Sequence, residues 1–154
     1  MPKRIDYVNP VQSLDELVQQ FEGKLVYIDF WAPWCSPCLK SFEKAGEMNA
    51  YFEKHDIVRL YVSIEKSVTA EQKRVNKVRN WKQIINQHQV SGYHYYAELK
   101  TALFDEIADN FMRGKLSLPR YAIINKNGEI ADRNAPSMDK PDKLKRKFAK
   151  LLNE

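Results

Sequence analysis

Apolar and polar positions alternate along the chain in blocks whose spacing changes between helical and extended. "SLDELVQQFEGK" opens with Ser13 as a candidate N-cap and Glu16 three residues later. Leu14, Leu17, Val18 and Phe21 then share one face, which predicts a first helix stopped at Gly23. "LVYIDF" (Leu25 to Phe30) is a nearly continuous apolar run, the pattern of a strand buried on both faces, and Asp29 is its one carboxylate. A helical pattern follows Pro37 to about His55 on Leu39, Phe42, Met48 and Phe52. "IVRLYVSI" (Ile57 to Ile64) reads as a second buried strand, and Thr69 to about Gln87 as a helix carrying Val75, Val78, Trp81, Ile84 and Ile85. "GYHYYAE" (Gly92 to Glu98) fits a short strand or a loop, and Thr101 to Phe111 is helical. Tyr121 to Asp132 reads as two strands around an Asn127-Gly128 turn, and about Lys140 to Leu152 as a final helix. Strands alternating with helices, then a hairpin and a helix, predict an α/β sandwich around a mixed sheet.

Composition keeps this within one globular domain covering residues 1–154. Apolar residues make up 44% and charged residues 29%, and 154 residues suffice for a core that needs neither disulfide nor metal. No stretch approaches the roughly 18 apolar residues of a membrane helix, and "MPKRIDYVNP" has no apolar core of a signal peptide. A domain excised from a longer exported protein would look the same. The net charge of +5 is spread out, with one cluster from Asp142 to Lys150. Leu144, Phe148, Leu151 and Leu152 recur there at helical spacing, so the cluster reads as the solvated side of a packing helix rather than a surface for nucleic acid.

The candidate chemistry sits in "FWAPWCSPC", where the only two cysteines stand two residues apart. Such a pair serves as half of a metal site, a structural disulfide or a redox dithiol. Zinc needs four ligands, and His55, His88 and His94 are scattered without ligand spacing, so no metal is expected. A structural disulfide would close a loop too small to stabilise much. For a dithiol, a helix starting near Cys35 places its sulfur at the positive end of the helix dipole, lowering the thiol pKa from about 8.5 towards 7 or below. Cys35 is then the exposed nucleophile. Cys38, one turn further in, is the shielded resolving thiol. Pro37 fits a helix start without losing a hydrogen bond, and Ser36 is the tuning position. A carboxylate at Asp29 should be desolvated and its pKa raised, unless it reaches solvent at the strand end.

The run "VYIDFWAPWCSPC", followed much later by "LPRYAIINKNGEI", resembles the thioredoxin-fold thiol-disulfide oxidoreductases. The roughly fifty residues between Glu65 and Pro119 are similar to the insertion of the TlpA/ResA-like group, read as one extra helix before the hairpin. The resemblance implies thiol-disulfide exchange with protein substrates through Cys35 and Cys38, with Asp29 helping to deprotonate Cys38. It places Trp34, Ser36 and Pro37 on the substrate-binding rim, with Leu118 and Pro119 opposite. It also implies a cis Leu118-Pro119 bond, where sequence alone favours trans. Trp31 is expected beneath the active-site loop. No organic cofactor is needed. The implied partners are protein disulfides or dithiols and a second redox protein, the chain acting as a monomer. The group's usual setting is periplasmic or otherwise extracytoplasmic, with a cytoplasmic one as the alternative. A non-catalytic interaction module is the alternative function. Four positions depart from the pattern: Glu43 stands where a helix-kinking proline is usual, Ser41 where a glutamate is frequent, Ser36 for glycine, and Arg120 for threonine. Arg120 would either favour the Cys35 thiolate or point to solvent. His94 and the aromatic cluster around it read as core.

Overall fold

The computed structural model describes residues 4–154, and the elements follow in chain order. They are β1 (Ile5–Tyr7), α1 (Leu14–Gln19), β2 (Val26–Trp31), α2 (Ser36–Lys44), α3 (Gly46–Lys54) and β3 (Val58–Glu65), then α4 (Glu71–Gln87), β4 (Gly92–Glu98), α5 (Ala102–Phe111), β5 (Arg120–Ile124), β6 (Ile130–Asp132) and α6 (Pro141–Leu152). The strands form one sheet in the order β1-β4-β3-β2-β5-β6. The β1–β4, β4–β3 and β3–β2 pairs are parallel, whereas β5 and β6 run antiparallel to their neighbours. The mixed sheet expected from the alternation is therefore present. Asn125 closes its hairpin by accepting from the amides of Asn127 and Glu129, and Gly128 adopts φ +82°.

Strand alternation divides the interior into two cores. Tyr27, Trp31, Tyr61, Tyr121 and Ile123 project to one face, where Phe42 of α2, Phe52 of α3, Trp81 of α4 and Phe148 of α6 cover them. Val26, Ile28, Phe30, Leu60, Val62 and Ala122 project to the other, beneath Leu17 of α1 and Ile107 of α5. The basic C-terminal segment packs as expected: α6 buries Leu144 and Phe148 and leaves its lysines outside. Among the described residues, no helix is long and apolar enough to cross a membrane.

Two features, β1 and a break in the helix after Pro37, differ from the sequence reading. The strand β1 was not foreseen, because three residues in a charged, proline-flanked segment carry no periodicity of their own; pairing with Gly92 to His94 creates it. "GYHYYAE" takes the strand of its two readings, as β4, between α4 and α5, which stand where the two helices of that segment were expected. Its aromatic residues alternate between faces, with His94 and Tyr96 under α4 and Tyr95 in the opposite core. The helix expected from Pro37 to His55 is interrupted at Ala45. There the amide of Ala45 turns back to the Phe42 carbonyl and that of Met48 to the Ala45 carbonyl, beside Gly46, a poor helix former. The break thus occurs without a proline at residue 43.

Candidate active site

The loop leaving β2 returns as α2 over the face that carries Asp29. Cys35 is the N-cap of α2, its backbone extended at φ −100° and ψ 97°, and its Sγ accepts from the Cys38 amide at 3.3 Å. Ser36 and Pro37 form the exposed first turn, where the missing proline N–H costs no helical hydrogen bond. Cys35 and Cys38 are joined by a disulfide with a Cα–Cα separation of 5.3 Å. Their exposure is unequal in the expected direction, but Cys35 is far less open than anticipated: it is 7% exposed and Cys38 0%. The cause is that Cys35 packs in the same core as Trp31, Tyr61 and Tyr121.

The tryptophans divide as expected. Trp34 is 53% exposed beside Cys35, whereas Trp31 is fully buried, edge-on to Phe42 with centroids 5.0 Å apart. The Leu118-Pro119 peptide is cis, and both residues are half-buried at the start of β5. Arg120 follows neither expectation. Its Nε donates to the Phe111 carbonyl at 2.9 Å and its Nη1 to Asn134 Oδ1 at 3.2 Å, which ties β5 to the C-terminus of α5.

Asp29 is buried in the middle of β2, with Tyr61 of β3 and Tyr121 of β5 as its neighbours across the sheet. Neither carboxyl oxygen has a hydrogen-bond partner among the described residues. Burial, with no compensating cation, pushes its pKa up to about 8. The phenols of Tyr27, Tyr61 and Tyr121 are in turn raised, first by burial and then by the Asp29 charge. The acid, set among these rings, is therefore mostly protonated at neutral pH, and its ionised, proton-accepting fraction grows towards pH 8.

Three contributors, Ser41, Tyr61 and Tyr121, escaped the sequence. Ser41, noted only as a departure, donates from Oγ to the Cys38 carbonyl at 2.7 Å and so anchors the turn that holds the inner cysteine. The tyrosines at residues 61 and 121 carried a signal, being hydroxyl-bearing rings within apolar strands, but their convergence on Asp29 depends on strand order. His94 is a core residue: buried, stacked on Tyr61 at 5.0 Å, with Nε2 bonded to the Val90 carbonyl at 2.8 Å and its pKa lowered to about 4 chiefly by burial.

The Redoxin family model matches residues 13–151. Among curated proteins, the chain is 22% identical over 125 residues to the thiol-disulfide oxidoreductase ResA of Geobacillus kaustophilus, covering 81% of this chain and 62% of that one. It is 37% identical over 68 residues to Thioredoxin-T of Drosophila melanogaster, covering 42% of this chain and 43% of that one. The chain thus spans about half the length of the curated relatives it matches. Among solved structures, a thiol:disulfide interchange protein from Bacteroides sp. superposes with a TM-score of 0.60 at 19% identity, covering 100% of this chain and 93% of that one. The exposed lipoprotein thioredoxin of Streptococcus pneumoniae gives 0.60 at 24% identity, covering 87% and 90%. These likenesses establish the fold as that of thioredoxin.

Proposed function

We propose that this chain, which belongs to the Redoxin family, exchanges disulfides with protein substrates through the Cys-Ser-Pro-Cys dithiol. The observation carrying this reading is the Cys35–Cys38 disulfide at the N-terminus of α2, with the outer sulfur slightly open and the inner one closed. Starting from the dithiol, the Cys35 thiolate attacks one sulfur of a substrate disulfide. The substrate S–S bond breaks, its other sulfur leaves as a thiolate, and a mixed disulfide forms at Cys35. Cys38 then loses its proton to ionised Asp29 and attacks Cys35 Sγ. The second substrate thiolate leaves and the Cys35–Cys38 bond forms, so the substrate gains two electrons that a partner redox protein must restore. In the opposite direction the same steps oxidise a substrate dithiol.

Trp34 and the half-buried Leu118 and Pro119 are assigned to the rim that receives the substrate polypeptide, with Ser36 and Pro37 beside the attacking sulfur. The likeness to ResA and to an exposed lipoprotein thioredoxin supports an extracytoplasmic, periplasm-like setting. No organic cofactor enters any step. Insulin reduction with dithiothreitol as electron source tests the reading. Turnover by the wild type, abolished in Cys35→Ser, is expected. No turnover by the wild type, or full turnover by Cys35→Ser, rejects it and leaves a thioredoxin-like interaction module.

A further inference from the structure

A cleft of about 710 Å³ lies at the β4 edge of the sheet, away from the disulfide. Its geometry follows from the shortness of β1. In the parallel ladder, Gly92 and His94 turn their amides and carbonyls towards β1: the Gly92 amide donates to the Arg4 carbonyl at 2.9 Å and the His94 carbonyl accepts from the Val8 amide at 2.8 Å. The next residue of that parity is Tyr96. There β1 has ended, the chain from Asn9 to Gln12 has swung aside, and Val11 is held by the Tyr95 hydroxyl at 3.0 Å. Tyr96 thus faces the cleft with both main-chain groups, and no backbone bond from Val8 or beyond reaches them among the described residues. Val78 and Trp81 of α4 form one wall, and Val11 and Leu103 the other.

The cleft holds further unmet hydrogen-bonding capacity. The indole N–H of Trp81, a residue only 3% exposed, and the hydroxyl of Tyr96 are both buried without a partner among the described residues, and both residues line the cleft. Arg74 is already engaged by Glu98 at 2.6 Å, by Glu71 and by the Val68 carbonyl. Lys82, over the Tyr7 ring at 4.7 Å, lines the cleft and forms no ion pair among the described residues.

We infer that this cleft is a second polypeptide-binding site, taking an extended segment of a partner chain as an added strand on β4 beyond β1. Main-chain pairing with Tyr96 supplies what β1 fails to supply. Alternate apolar side chains of the segment enter between Val78 and Trp81 on one side and Val11 and Leu103 on the other. An acidic residue at the Lys82 end completes the match. A strand edge with both walls apolar selects an extended main chain over a compact small molecule. The site is independent of thiol chemistry and stands or falls separately from it.

The test is selection of random dodecapeptides displayed on phage against the wild-type protein with its disulfide intact, which prevents capture through a thiol. In the free protein, the Tyr96 amide should exchange hydrogen quickly, while the Tyr95 amide, paired to β3, is protected. Recovered peptides are expected to slow Tyr96 exchange at least tenfold and to lose at least tenfold in affinity for Val78→Arg, which fills the cleft. They should lose several-fold for Lys82→Glu, which leaves its walls intact. Slow Tyr96 exchange in the free protein overturns the inference. So does recovery of no peptide above background, or of peptides that bind both variants unchanged.

Discussion

Asp29 shows what one buried, unpaired carboxyl does to a protein. Between its ordinary pKa of 3.8 and its folded value of about 8, the native chain holds a proton that the unfolded chain has released. Stability therefore falls as pH rises through that window and levels off above it, by a few kcal/mol in all. His94 acts in the opposite sense: its folded pKa of about 4 lies below the unfolded 6.5, so it withdraws stability as pH falls through that interval. Asp29→Asn should match the wild type most closely near pH 4 and exceed it increasingly up to pH 8–9. Urea unfolding of the oxidised proteins across that range checks this, and parallel stability curves would show that Asp29 does not titrate as described. The tryptophans separate structure from recognition. Trp31→Ala empties a fully buried site and should cost about 3–5 kcal/mol, whereas Trp34→Ala should change stability by less than about 0.5 kcal/mol while lowering the rate with protein substrates. Equal losses of stability would erase that division.

Where elements meet, backbone constraints that no periodicity reveals become decisive. Gly92 opens β4 with φ +142°, and a Cβ there would stand 2.8 Å from the Arg59 carbonyl oxygen of β3. Its amide also donates to Arg4 just before β1. Gly92→Ala is therefore expected to lower the free energy of unfolding by about 2–3 kcal/mol, measured by urea titration. An unchanged midpoint would mean that the β1–β4–β3 junction tolerates a side chain. The same junction explains which elements were legible beforehand. The strands β2 and β3 are buried on both faces and declare themselves as apolar runs; α1 declares itself by Ser13, whose Oγ does accept from the Glu16 amide. In contrast, β1 exists only through its partner, and β4 mixes polar and aromatic residues because its faces lie in two different cores. The break at Ala45 was equally hidden, since the apolar spacing of Phe42, Met48 and Phe52 continues across it.

At the scale of the molecule, the parallel strands bring their C-terminal ends to one side, and α2 starts there. This topology brings the half-buried Leu118 against the core cluster that holds both cysteines, from segments about eighty residues apart in the sequence. The linear motif named the cysteines and their order along the helix. The tyrosine walls around Asp29, the Ser41 anchor on Cys38 and the capture of Arg120 by α5 each required strand order or a tertiary contact. The unequal work of the two cysteines is read by trapping the mixed disulfide. Reduced Cys38→Ser and Cys35→Ser are each mixed with a protein disulfide substrate at pH 7, and the adducts are mapped by mass spectrometry. A stable adduct on Cys35 in Cys38→Ser, with at least tenfold slower adduct formation on Cys38 in Cys35→Ser, is the predicted result; equal trapping rates at both sulfurs would contradict it.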